Sequence, residues 1–342
     1  MLFRFRALQN TLTFKFYYPI IEAMKYIRLT LSSLLLLCTT NIYALSFAIP
    51  QNGATVVGEA KTAVVREDEN FSDIAQRYDV GYYEVFEANP GVDPDEPPPG
   101  TIIIIPTQYI IPPELRENMI IINLAEMRLY YQPKGVNRVY IYPVGIGKAG
   151  WNTPAGMMKI VEKTVNPKWT VPDSIYKFRK SIGDPVPHVV GPGPDNPLGK
   201  YKLRLSDQVY LIHGTNAPEG IGRRTSAGCV RLYANDIEQL FNMVKKGTKV
   251  LIINKPYKAG WIDDGKSHQL LYLEAHMPLA EQRKQWGNDI TPVVKIIEAA
   301  ITKVPNAQVD WDKVKQITTE HVCVPRVVGS NTSETSVATP AN

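Results

Sequence analysis

The chain has 342 residues, 44% hydrophobic and 21% charged, with 27 prolines, 23 glycines and 3 cysteines. That length accommodates two domains, and the apolar share excludes wholesale disorder. Three cysteines cannot build a disulfide framework, and so much proline argues against a helical bundle. The formal charge of +5 would suit a nucleic-acid partner if it were spread over the fold.

The charge is not spread. Residues 1–44 hold Arg4, Arg6, Lys15, Lys25 and Arg28 against Glu22 alone, which accounts for +4 of the +5. Residues 24–44 have the grammar of a secretory signal: Lys25 and Arg28 form a basic start, and Leu29 to Leu37 form an apolar core too short to span a bilayer. Ile42-Tyr43-Ala44 offers a cleavage site, and Ser46-Phe47-Ala48 offers a second. The leader is therefore expected within residues 1–48, starting at Met24, with residues 1–23 an upstream extension. A signal-anchor that stays attached is the alternative. Leu37 is too bulky for Cys38 to be a lipidation site. The predicted location is the bacterial periplasm, and no recognition motif supports nucleic acid as a partner.

Residues 62–107 form a unit of their own. A strand ends in Val64-Val65, and Asn70 is placed to cap a helix with Asp73 bonding back. Phe71, Ile74, Ala75 and Tyr78 follow at helical spacing. After a break at Asp79–Gly81, Tyr82, Val85, Phe86 and Asn89 predict a second short helix, stopped by Pro90-Gly91. Pro97-Pro98-Pro99-Gly100 then turns into the strand Thr101 to Ile105. This βααβ order, with NFSDIAQRYDV, EVFEANPGV and PPGTIIIIP, resembles a LysM domain, a family that binds N-acetylglucosamine-containing glycans of peptidoglycan or chitin. A packing module without a ligand is the simpler reading. The unit carries a net charge of −8.

From residue 118 to 254 the texture is short β-rich runs punctuated by Gly and Pro: MIIINLAEMRLYYQP, NRVYIYPVGIG, MMKIVEKTV, YKLRLS, VYLIHGT and TKVLIIN. That spacing predicts a sheet-based fold, with one helix over 235–244. Residues 255–326 are expected to be a helical C-terminal region, with Thr291 capping one helix and Trp311, Val314 and Ile317 marking another. Residues 327–342 read as a disordered tail.

The chemistry concentrates in residues 212–232, IHGTNAPEGIGRRTSAGCVRL. Cys229 is a candidate nucleophile, because a thiolate attacks carbonyls once a base or cation supports it. His213, at a strand end, can be that base, form an ion pair with the sulfur and later protonate a leaving amine. Gly228 removes a side chain beside the nucleophile, so local N–H groups can turn toward an oxyanion. No carboxylate is placed to orient the imidazole; the Gly214 carbonyl can. Other readings remain: His213 as a satisfied strand-end histidine, Cys229 paired with Cys323, and Arg223, Arg224 and Arg231 as a solvated edge. His188, His268, His276 and His321 lack metal-ligand spacing, so no metal and no cofactor is expected.

His213-Gly214-Thr215 followed by Ser226-Ala227-Gly228-Cys229-Val230-Arg231 resembles the active-site motif of the YkuD family of L,D-transpeptidases. GIGKAGWNTPAG, NPKWTVP and GPDNPLG extend the likeness, which covers about residues 50–255. The resemblance implies a mainly β fold: a YkuD-type β-sandwich with a βααβ LysM module and a short helical C-terminal region. It implies Cys229 as acyl-enzyme nucleophile, His213 as base and acid, and Gly214 as the orienting carbonyl. Ser226, Thr215 and Gly228 would shape the pocket, and Arg231 would stabilise it or meet a substrate carboxylate. Ala227 departs from the pattern, where many members have histidine, and this puts acceptor binding in question. The implied partners are peptidoglycan glycan and stem peptides, or a lysine-bearing outer-membrane lipoprotein as acceptor. An L,D-carboxypeptidase-type hydrolase and a non-catalytic wall-binding protein are the alternatives.

Overall fold

The computed structural model describes residues 45–207, 209–263, 269–277, 290–304 and 306–331. The expected signal at 24–44, with Cys38, and residues 332–342 of the expected tail lie outside these. The mainly β character holds throughout. In chain order, β1 (Leu45–Ala48), β2 (Val56–Gly58) and β3 (Lys61–Val64) lead into helices α1 (Phe71–Tyr78) and α2 (Tyr82–Ala88), and β4 (Ile102–Ile105) returns to pair with β3. Asn70 accepts from the Ser72 and Asp73 amides while Asp73 accepts from the Asn70 amide, a reciprocal cap worth about 1 kcal/mol. Phe71, Ile74, Ala75 and Val85 are buried against Ile103 and Ile105. Phe86, expected on the same face, is instead 41% exposed, because the packed stripe of this two-turn helix is Tyr82, Val85 and Ala88.

The segment after β4 is built around a nine-stranded sheet, with short two-stranded pairs beside it. After β5 (Gln108–Ile110) come β6 (Met119–Asn123), β7 (Arg128–Gln132), β8 (Arg138–Pro143), β9 (Ile146–Gly147) and β10 (Gly156–Val165). Next are β11 (Trp169–Thr170), helix α3 (Asp173–Ser181), β12 (Val189–Val190), β13 (Tyr201–Leu205), β14 (Leu211–His213), β15 (Arg224–Ser226) and β16 (Val230–Arg231). Helix α4 (Ala234–Met243) and β17 (Lys249–Ile253) complete it. The strand order is β1-β8-β7-β6-β17-β10-β13-β14-β16, and the sheet curls around Ile120, Leu129, Leu203, Ile212, Val230 and Leu240, all nearly inaccessible. Ile237, Leu240 and Phe241 of α4 close that core, the stripe that its periodicity predicts.

The C-terminal region differs from the helical expectation. Helices α5 (Thr291–Ile301) and α6 (Trp311–Glu320) are present, but they cover a four-stranded sheet of β18 (Tyr257–Asp263), β19 (Gln269–Ala275), β20 (Gln308–Val309) and β21 (Arg326–Ser330). Leu271, Leu273 and Ala275 alternate inward, a period-two pattern that the sequence reading passed over. Residues 327–330 are therefore not tail: β21 pairs with β19, and Val328 is fully buried. Thr291 is the first residue of α5 rather than its cap, which is Ile290.

A buried ionic cluster ties the parts together. Arg128 of β7 bonds Glu84 of α2 and Glu274 of β19, and Lys258 Nζ lies 3.0 and 3.1 Å from Glu126 and Glu274. Burial opposes ionisation of Glu274, yet Lys258 and Arg128 hold its carboxyl well below the usual range. Burial likewise opposes charge on His276, but bonds to Glu274 and Glu87 push it up to about 9. Glu126, Glu274 and His276 are close enough together to share a cation, and Lys258 and Arg128 already supply that positive charge.

Candidate active site

Strands β14 and β16 run parallel, with Ile212 opposite Val230 and His213 opposite Arg231. Side chains alternate across a sheet, so Ile212 and Val230 enter the core while His213, Arg231 and Cys229 share the other face. That face is one wall of a cavity of about 630 Å³, lined by His213, Ser226, Ala227, Cys229 and Arg231 together with Trp151 and Trp169. Residues sixteen apart in sequence are thus joined by strand pairing.

The turn before Cys229 is held by its own side chains. Ser226 Oγ accepts the Gly228 N–H at 3.1 Å and donates to the Cys229 carbonyl at 2.6 Å. Thr153 Oγ1 donates to the Gly228 carbonyl at 2.9 Å and accepts the Gly147 N–H at 3.0 Å. Gly228 has φ +102°, the left-handed region that a side chain resists. The Gly228 N–H is therefore already engaged, which leaves the Cys229 N–H among the local donors expected to turn toward an oxyanion. The Cys229 N–H has no hydrogen-bond partner among the described residues.

His213 is 3% exposed, and its Nδ1 lies 2.6 Å from the Gly214 carbonyl. That contact makes Nδ1 the protonated nitrogen and leaves Nε2 free to accept. Burial, helped by the Arg231 charge, pulls its pKa down to about 3, against the Gly214 and Leu198 carbonyls. Burial also pushes the Cys229 thiol up, opposed by the Leu211 N–H and Arg231. Both effects favour the neutral forms, imidazole and thiol, in the cavity that the two residues line. Cys229 and Cys323 are both free thiols; Cys323 is fully buried, its Sγ 3.2 Å from the Glu84 carbonyl.

Thr215 does not join the cavity of Cys229. Its Oγ1 accepts the Ala217 N–H at 3.0 Å, and with Gly214 it lines a separate crevice of about 360 Å³. A second cavity, of about 380 Å³, adjoins the first: Trp151, Trp169, Ile175, Pro197, Ala227 and Arg231 line both. Helix α3 walls both, through Ser174 and Ile175 on one side and Ile175, Phe178 and Arg179 on the other. None of its residues is buried. Sequence reasoning missed this helix and the structural role of Thr153. Ile175, Phe178 and Ile182 keep helical spacing, but the run is short and proline-flanked, and Thr153 acts only through the fold.

Comparison with known proteins agrees with this geometry. Residues 117–252 match the family model of the YkuD L,D-transpeptidase catalytic domain, and residues 63–106 match that of the LysM domain. "Probable L,D-transpeptidase YcfS" of Escherichia coli (strain K12) is 43% identical over 242 residues, 69% of this chain and 74% of that one. "Probable L,D-transpeptidase YbiS" of the same organism is 41% identical over 254 residues, 73% of this chain and 81% of that one. "Probable L,D-transpeptidase ErfK/SrfK" of Salmonella typhimurium is 38% identical over 277 residues, 80% of this chain and 88% of that one. The chain belongs to the YkuD family of L,D-transpeptidases, which are transferases, and carries a LysM domain ahead of the catalytic one.

Proposed function

We propose that the protein is a peptidoglycan L,D-transpeptidase in which Cys229 forms an acyl-enzyme with a stem peptide. The observation that carries this reading is the placement of His213, Cys229 and Arg231 on one sheet face that opens into the larger cavity. Cys229 Sγ attacks the carbonyl after the L-centre of stem residue three, and His213 Nε2 takes the thiol proton as the C–S bond forms. The Cys229 N–H is the donor available to the developing oxyanion. The C–N bond to the terminal D-alanine then breaks, and the proton on His213 passes to the departing amine. An acceptor amine attacks the thioester, loses its proton, and the thiolate leaves protonated.

If the acceptor is the D-centre amine of another stem, a 3→3 cross-link forms. If it is a lysine side chain of an outer-membrane lipoprotein, that protein becomes attached to the wall. The LysM domain supports peptidoglycan glycan as the bound surface, and the secretory grammar of residues 24–44 supports a periplasmic location and a role in wall biogenesis and cell shape. Incubating the protein with purified stem tetrapeptide and an amine acceptor tests the reading. Cross-linked or amine-capped product is expected. Tripeptide alone would make the protein a carboxypeptidase, and no product with no carbapenem adduct on Cys229 would make it a wall-binding module.

A further inference from the structure

The LysM module touches both flanks of the segment that carries Cys229. Before it, the Tyr82 N–H donates to the Ile221 carbonyl at 3.3 Å and the Tyr83 N–H to the Gly222 carbonyl at 3.2 Å. The Arg223 guanidinium lies 3.3 Å over the Tyr82 ring and donates to Ser72 Oγ at 3.1 Å. Gly222 and Gly81 meet backbone to backbone: a Cβ on Gly222 would fall 2.2 Å from the Tyr82 nitrogen. After the segment, Tyr233 Oη donates to the Val80 carbonyl at 3.2 Å. The buried Asp79 carboxyl also acts electrostatically on that of Asp236 on α4; burial pushes both up, Asp79 to about 6. Only residues 224–232 separate these two anchors on one LysM junction, and Cys229 lies between them.

We propose that the junction Asp79–Tyr83 positions the nucleophile, with Arg223 and Tyr82 as a positioning pair that couples the LysM module to Cys229. The mechanical path is short. Arg223 precedes β15, β15 is paired in parallel with β9, and its last residue, Ser226, holds the Gly228 N–H and the Cys229 carbonyl. Arg231, opposite His213, follows immediately, and its guanidinium passes within 3.8 Å of the space beside Gly220. Displacing residues 221–223 therefore moves the groups that set the environment of the thiol. Arg223 lines neither cavity next to Cys229, so its effect would be indirect. The inference rests on Cys229 being the reacting thiol, not on the identity of the acceptor.

The test is alkylation of the full chain by iodoacetamide, read at Cys229 by peptide mass mapping across pH, for Arg223→Ala, Arg223→Gln, Tyr82→Ala and Tyr82→Phe. Alkylation proceeds whether or not the protein transfers acyl groups, so failure of this proposal is distinct from failure of the transferase reading. The alanine variants should move the alkylation midpoint upward by about half a pH unit or more, as the thiol loses Arg231. Their stem-transfer kcat should fall about tenfold with KM within about twofold. Tyr82→Phe keeps the ring and should match the parent. Arg223→Gln keeps a donor for Ser72 but not the charge over the ring; if the alanine variants do not fold, its midpoint alone decides. A parent-like midpoint in the folded Arg223 variants would overturn the proposal, as would a Tyr82→Phe profile as shifted as that of Tyr82→Ala.

Discussion

His213 and Arg231 are direct partners on adjacent parallel strands, so a permanent positive charge stands beside the imidazole. Burial first and that charge second keep the ring neutral down to about pH 3. A general base must be neutral to act, so the rate of carbapenem acylation at Cys229 should show no acid limb at the ordinary histidine range. It should decline only as pH approaches the region near 3. His213→Gln should lower the acylation rate about 100-fold or more. An acid limb centred near 6.5, absent in His213→Gln, would contradict the neutral pair.

The same shift bears on stability. The unfolded chain protonates His213 near 6.5 and the folded chain only near 3, so the unfolded state binds the extra proton between these values. The contribution is fully present above 6.5 and is lost as pH falls through that window. Urea midpoints measured between pH 7 and pH 4 should therefore fall less steeply in His213→Gln than in the parent.

Ala227 lines both the cavity of Cys229 and its neighbour. A histidine there would put a ring where the two communicate. Ala227→His should slow amine transfer several-fold, while acylation changes by less than about twofold. Equal slowing of both steps would mean that residue 227 does not separate donor from acceptor. The readout is product partition between cross-linked peptide and tripeptide, set against the single-turnover acylation rate.

The candidate site was legible in sequence because its groups are close along the chain and chemically uncommon: a histidine at a strand end, then Ser226-Ala227-Gly228-Cys229. The two-helix LysM order was legible for a different reason, since Asn70, Asp73 and the stripe at 71, 74 and 75 act locally. What was not legible acts at a distance. Thr153 earns its place only where two loops meet, and Glu84 becomes a partner of Arg128 only after folding joins α2 to β7. The β18–β19 hairpin was not legible because its buried alternation, at 271, 273 and 275, is a shorter signal than the helical spacing at 291–301 and 311–317.

Arg128 is 1% exposed and joins the LysM helix, the catalytic sheet and the C-terminal sheet through Glu84, Glu126 and Glu274. Arg128→Met would leave Lys258 and His276 as the basic side chains beside these carboxylates among the described residues. Removing one side of such a buried group costs about 3–5 kcal/mol. Arg128→Met should lower the urea midpoint accordingly, and adding Glu84→Gln should recover part of the loss by removing one orphaned charge. A double variant no more stable than the single one would show that Glu84 and Arg128 are not energetically joined.

At Gly228 the backbone leaves little choice. Its φ of +102° already disfavours a side chain, and a Cβ there would meet Tyr210 Cε1 at 2.9 Å. The Tyr210 ring can yield slightly, but the turn must yield too, because Ser226 and Thr153 bind its amide and carbonyl. Any shift is transmitted to the next residue, Cys229. A displacement of roughly 1 Å at a nucleophile costs on the order of 100-fold in rate, so Gly228→Ala should lose about that much kcat/KM in stem transfer. Gly135 gives the matched control: its φ is +72°, a Cβ meets nothing within 4 Å, and it touches none of the site. Gly135→Ala should cost about 1–2 kcal/mol of stability and leave the rate unchanged. Parent-like transfer by Gly228→Ala would show that the thiol does not depend on this turn.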